Sequence, residues 1–151
     1  MAKILNFGSL NIDYVYDVPH FVQAGETLSS TSRNIFAGGK GLNQSVALAR
    51  AGGDVYHAGA VGLADGQLLI DVLKENKINS DYLKKKDCAS GHTIIQVDSN
   101  GQNCILLFGG ANQTITTEDI DETLKNFEKG DYLVLQNETS NIKYLIEQAS
   151  A

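Results

Sequence analysis

Cysteine, proline and arginine are scarce in this chain, and each scarcity removes a class of protein. The two cysteines, Cys88 and Cys104, are too few for a disulfide scaffold and lack the spacing of a metal site, so free thiols in a reducing compartment are the reading they support. A single proline beside 42% hydrophobic residues marks a globular chain, not a disordered one. No apolar run approaches the ~20 residues that a membrane span requires, and Met1-Ala2 leads straight into the strand-like Lys3-Ile4-Leu5. A cytoplasmic location without a membrane partner is the expectation. Positive charge is also short. With a net charge of −6 and no basic run longer than Lys84-Lys85-Lys86, most of the surface repels a phosphate backbone, so nucleic acid is not an expected partner. What remains is one compact domain of 151 residues with a real core.

Glycine is what the chain has where it matters. In Phe36-Ala37-Gly38-Gly39-Lys40-Gly41-Leu42-Asn43-Gln44, three glycines within four residues allow positive φ and a close approach to a ligand. The alanine-rich run from Ser45 to Ala51 reads as a helix ended by Gly52-Gly53. Free N–H groups and the positive end of its dipole are expected beside the loop, a surface for hydroxyl or anionic oxygens.

Around this loop the chain alternates. Lys3 to Phe7, Val55 to Ala60 and Asp131 to Gln136 read as buried parallel strands, with helices from near Asp65, from Thr116-Thr117-Glu118-Asp119 and over Asn141 to Ala149. Thr116 and Asp119 stand at capping-box separation, and Gly130 is read as ending that helix. Tyr14 to Val18 with Ser29 to Phe36, and Thr93 to Asp98 with Asn103 to Phe108 around an Asn100-Gly101 tip, read as antiparallel additions. Open α/β sheets place ligands beyond strand C-termini. Asn11 and Asp13 follow the first strand, one residue apart, where an amide and a carboxylate can point the same way. Turn chemistry accounts for the same two residues equally simply. Glu138 follows the third strand, as a ligand contact or as an acid near a helix N-terminus. His20, His57 and His92 have no partner at metal or catalytic spacing and read as structural or solvated.

The run Ala37 to Gly52, followed by Gly59-Ala60-Val61-Gly62, resembles the N-terminal signature of the ribokinase-like (PfkB-type) carbohydrate kinases. The resemblance implies an α/β doubly wound parallel sheet with a small antiparallel β lid, its segments about 12–36 and 93–108. It implies substrate contacts from Asn11, Ile12 and Asp13 in the Gly8-to-Asp13 opening, from Gly39, Lys40, Gly41, Leu42 and Asn43 in the loop, and from Glu138. It also implies phosphoryl transfer from ATP with Mg2+, a monovalent cation as a further cofactor of the complete enzyme, and a homodimer through the lid. Arg33 and Arg50 are the only arginines, which favours a neutral polyol over a phosphorylated sugar. Ribose is the first substrate on this reading, with the sugars of fructokinases and nucleoside kinases as alternatives.

The family's Gly-Ala-Gly-Asp motif, which carries its general base, is not in these residues, nor is a Walker loop. Gln44 stands where a dinucleotide loop needs Gly or Ala. No catalytic and no metal-binding residue is assigned, and the chain is expected to match the N-terminal half of the family, without the ATP-binding half. Two readings stand: the sugar-binding half of a kinase, or a non-catalytic sugar-binding or dimerising module. On the first, the 151 residues alone are expected to aggregate or dissolve poorly. Light scattering during a thermal melt checks this; a sharp, reversible transition of a monodisperse sample contradicts it.

Overall fold

The computed structural model describes residues 1–151 as two sheets and their helices. Strands β1 (Lys3–Phe7), β2 (Asn11–Asp17), β3 (Ser32–Gly38), β4 (Asp54–Gly62), β5 (Leu83–Lys86), β6 (Gly91–Val97), β7 (Asn103–Phe108) and β8 (Tyr132–Leu135) accompany helices α1 (Lys40–Arg50), α2 (Gln67–Glu75), α3 (Thr117–Leu124) and α4 (Ile142–Ser150), with a short 3₁₀ turn at Gly110–Gln113. The first sheet has the order β5-β4-β1-β8 and is wholly parallel. The second has the order β3-β2-β6-β7, with antiparallel outer pairs and a parallel β2–β6 pair between them.

Strand alternation divides the core. Ile4 and Val55 pack with Leu42, Leu69, Ile70 and Leu73 of α1 and α2 on one face of the parallel sheet. Leu5, Phe7, Ala58 and Ala60 pack with Ile120 and Leu145 of α3 and α4 on the other. Helices on both faces make the sheet doubly wound, as the family resemblance implies. The second sheet has no such cover on β7, where Ile105, Leu106, Leu107 and Phe108 are all exposed.

Three boundaries differ from the sequence reading. Helix α1 starts at Lys40, five residues before Ser45, because Gly39, at φ 97°, turns the chain into the helix at once. From Lys40 onward the glycine run is therefore the first turn of the helix, while Gly38 ends β3 and Gly39 caps the turn. Strand β5 is hidden in sequence by its three lysines; Lys84 and Lys86 reach to α3 and pair with Glu122 at 2.6 Å and Asp119 at 2.7 Å. Helix α3 ends at Leu124, well before Gly130.

The capping box of α3 is complete: Asp119 N–H donates to Thr116 Oγ1 at 3.1 Å and Thr116 N–H to Asp119 Oδ2 at 3.0 Å. Thr116→Ala is expected to cost about 1 kcal/mol in urea denaturation, since the Asp119 N–H loses its side-chain acceptor.

Candidate functional site

The site forms where β1 runs into β2. Between the two strands lie Gly8, Ser9 and Leu10, and neighbouring elements supply the partners that a strand would have. Gly8 N–H donates to Ala58 O at 2.9 Å. Ser9 N–H donates to Gln136 Oε1 at 3.2 Å, and Ser9 O accepts from Leu42 N–H at 3.0 Å. Leu10 N–H donates to Asn112 Oδ1 and Leu10 O accepts from Asn112 Nδ2, both at 3.0 Å.

Helix α1 presses its first turn against this crossing. A Cβ on Gly41 would fall 2.6 Å from Gly8 C and 2.5 Å from Ser9 O, so only glycine permits the approach. Gly41 N–H donates to Ser9 Oγ at 3.1 Å, and Leu42 N–H is taken by Ser9 O. Two of the helix N-terminal N–H groups expected to face a ligand are therefore bonded to Ser9 instead. The signal for this in the sequence is a serine two residues past the end of a core strand.

Ser9 Oγ, having accepted from Gly41, donates to Glu138 Oε2 at 2.6 Å, and Lys40 Nζ lies 3.1 Å from Glu138 Oε1. Burial works against the Glu138 carboxylate, but the Ser9 hydroxyl and the Lys40 ammonium outweigh it and hold the carboxyl below its ordinary value. The Lys40 side chain remains 74% exposed. Lysine and glutamate thus neutralise each other at the rim.

Asn11 and Asp13 occupy one face of β2, as period-2 alternation requires. Asp13 Oδ1 accepts from Thr93 Oγ1 at 2.6 Å, while Oδ2 has no hydrogen-bond partner in the chain and lies over Gly38 on β3, where a Cβ would clash with it. Asn11 Oδ1 accepts from Asn112 Nδ2 at 2.8 Å, and Asn11 Nδ2 makes no hydrogen bond within the chain.

The other sequence-derived candidates divide by side chain. Ile12 and Leu42 are 3% and 1% exposed and belong to the hydrophobic core, so they reach the site with backbone only. Asn43 is exposed on α1 with no side-chain bond. Gly39 lies against Ser9 and Asn11, with a notional Cβ 3.0 Å from Asn11 N. Ser9, Thr93, Asn112 and Gln136 were not among the candidates. Asn112 closes the Gly109-Gly110-Ala111-Asn112 run that follows β7, and Gln136 precedes Glu138 by two residues.

Beneath the glycine turn lies a buried polar chain. Gln136 Nε2 donates to Asn6 Oδ1 at 2.9 Å and to Gln44 Oε1 at 2.7 Å. Asn6 Nδ2 donates to Gly41 O at 2.8 Å and to Ser45 Oγ at 2.9 Å. Ser45 Oγ and His57 Nδ1 are 2.7 Å apart, and His57 Nε2 is 3.0 Å from Gly8 O. A carbonyl can only accept, so Nε2 carries the proton and Nδ1 accepts from Ser45. His57 is thus structural, as read, but it sits in mid-strand on β4 with two partners. Burial, the larger influence, lowers its pKa from 6.5 to about 4, against the hydrogen bond to Gly8, which raises it.

No three His, Cys, Asp or Glu side chains converge into a group that could hold a metal ion. No helix is long and apolar enough to cross a membrane.

The profile of the pfkB family carbohydrate kinases matches residues 1–150. The ribokinase of Staphylococcus aureus is 35% identical over 141 residues, covering 90% of this chain and 46% of that protein. The deoxyribokinase of Salmonella typhi is 36% identical over 135 residues, covering 87% of this chain and 44% of that protein. The structure of Arabidopsis thaliana ribokinase complexed with ribose and ATP superposes with a TM-score of 0.83 at 29% identity, over 99% of this chain and 50% of that one. The chain spans about half the length of the relatives it matches.

Neutral His57 gives the site a measurable pH dependence. The unfolded chain takes up a proton near pH 6.5 and the folded chain only near 4. The resulting stability is full above pH 6.5 and is lost as pH falls through 4, by about 3 kcal/mol. Urea denaturation across this range checks the loss, and a folded-state His57 that titrates at its ordinary pKa in NMR contradicts it.

Proposed function

The chain belongs to the pfkB family of carbohydrate kinases, and we propose that it is the sugar-binding half of an ATP-dependent ribokinase that converts D-ribose to ribose 5-phosphate. One observation carries the reading: Asn11 and Asp13 share a face of β2, each with one polar atom bonded inside the chain and the other, Asn11 Nδ2 or Asp13 Oδ2, without a partner. A donor and an acceptor side by side suit adjacent hydroxyls of a polyol. The Lys40–Glu138 pair supports a neutral ligand, because the ammonium there is already matched by a carboxylate and Ser9 consumes two helix N–H groups. A phosphorylated sugar would meet no uncompensated cation at this rim.

On this reading Asn11, Asp13, Gly39, Lys40, Gly41, Asn43 and Glu138 contact the sugar, with Ile12 and Leu42 contributing backbone. The second sheet acts as the lid, and its exposed β7 residues, Ile105, Leu106, Leu107 and Phe108, are where a homodimer forms. ATP, Mg2+ and a monovalent cation act on residues outside this chain, in a cytoplasmic enzyme. Transfer itself depends on positioning and on electrostatic stabilisation of the moving phosphoryl group. The residues here bind and orient the acceptor hydroxyl.

A second reading, a sugar-binding module without phosphotransfer, draws on the polar set being held in place by bonds within the chain. Likeness to a deoxyribokinase makes 2-deoxyribose the second sugar to examine. Titration of the dilute, monomeric fraction of the chain with D-ribose, 2-deoxyribose, fructose and a nucleoside, followed by amide chemical shifts, tests the reading. Ribose is expected to shift Asn11 and Asp13 at millimolar concentrations, and Asp13→Ala to weaken binding by about tenfold or more. Tighter binding of fructose or a nucleoside replaces ribose, and an Asp13→Ala variant that binds every sugar as before overturns the site.

A further inference from the structure

Asn112 is 2% exposed and closes both backbone polar groups of Leu10, itself fully buried. Its carboxamide occupies the place a neighbouring strand would take. That arrangement fixes its orientation: Leu10 N–H requires an acceptor, so Oδ1 faces it, and Leu10 C=O requires a donor, so Nδ2 faces that. Turning the amide by half a revolution would set two donors and two acceptors against each other in a buried site, at a cost of about 1–3 kcal/mol for each unsatisfied group.

The second proton on Asn112 Nδ2 then points the consequence outward. It lies 2.8 Å from an atom of Asn11, which must therefore be the oxygen. Asn11 is left with its NH2 as the group without a partner. Gly91, opposite Asn11 on β6, makes room for this pair, since a Cβ there would overlap both Asn112 Nδ2 and Asn11 Oδ1. Asn112 is also held at its backbone, its N–H on Gly109 O at 3.2 Å and its C=O accepting from Ser140 N–H at 3.0 Å, two residues past Glu138.

We propose that Asn112 is a positioning residue that fixes Asn11 as a hydrogen-bond donor toward the sugar, so that Asn11 and Asp13 meet two hydroxyls as one donor and one acceptor. The inference rests on the sugar-site reading above and adds to it the residue that sets the site's donor and acceptor order. Asn112 itself touches no substrate.

A specificity ratio separates positioning from general support. In the wild-type chain, titrations with ribose and its single-deoxy analogues, compared with Asn11→Ala, identify the hydroxyl that Asn11 binds; its removal is expected to weaken binding about tenfold. In Asn112→Ala the freed Asn11 amide turns without penalty, and that discrimination is expected to fall to roughly two- to threefold, while discrimination at the other hydroxyls is unchanged. Equal weakening of all sugars, with the ratios kept, overturns the proposal. Should Asn112→Ala fail to fold, side-chain amide exchange in the wild-type chain decides the point. Asn112 NH2 protons are expected to exchange slowly and Asn11 NH2 protons fast, and the reverse order overturns the proposal. This readout needs no ligand. A chain with the expected exchange order that binds no sugar retains the Asn112 arrangement and refutes the sugar-site reading instead.

Discussion

The constraint on which the structure depends is the crossing from β1 to β2, where Gly8, Ser9 and Leu10 pass from one sheet to the other outside any strand ladder of their own. Each buried N–H and C=O there must find a partner or cost about 1–3 kcal/mol. The partners are five residues in four places: Ala58 and His57 on β4, Gln136 after β8, Leu42 on α1 and Asn112 in the 3₁₀ turn. These elements span most of the chain. The same few residues that end the first strand therefore hold both halves of the core in register, and the side chains of the site inherit that rigidity.

The electrostatics follow from the same crossing. Ser9 stands between the positive end of α1 and the Glu138 carboxylate, accepting from one and donating to the other. The helix dipole is thereby passed through a hydroxyl to an acid that Lys40 also neutralises. His57, close beneath, stays neutral because burial disfavours its charge. The result is a polar rim in which the Lys40 and Glu138 charges cancel, and in which Asn11 and Asp13 each have one side-chain bond inside the protein.

Much of this could be read from the chain. The alternation of apolar strands with helices pointed to a parallel sheet and the family resemblance to its doubly wound form, while the residue types of the glycine turn pointed to a candidate site, because backbone approach and positive φ leave few alternatives to glycine. Thr116 and Asp119 formed the capping box that their spacing indicates. Strand β5 was not legible, since its lysines serve pairing with α3 and mask the strand pattern. Nor were the roles of Ser9, His57 and Asn112. Each acts through a partner distant in sequence, 102 positions away for Asn112 and Leu10, and no local pattern encodes such a meeting. The start of α1 was misplaced for a related reason: Lys40 and Gly41, which look like loop, are helical because Ser9 supplies what the N–H groups of Gly41 and Leu42 need.

The two sheets are joined in a particular way. The chain passes between the second sheet and the rest of the molecule at the start of β2, the end of β3, the start of β6 and the end of β7. The strand register places Asn11, Gly38 and Gly91 side by side, with Phe108 opposite His92 in the next row. All four attachments thus lie along one border of the sheet, while Asp17, Ser32, Val97 and Asn103 lie along the border opposite. Mechanically this is a door hung on one jamb. Any rigid turn of the sheet pivots on a line through Asn11, so the far border sweeps the longest arc, whereas Asn11, at the axis, keeps its place against the helix whatever the angle of the door.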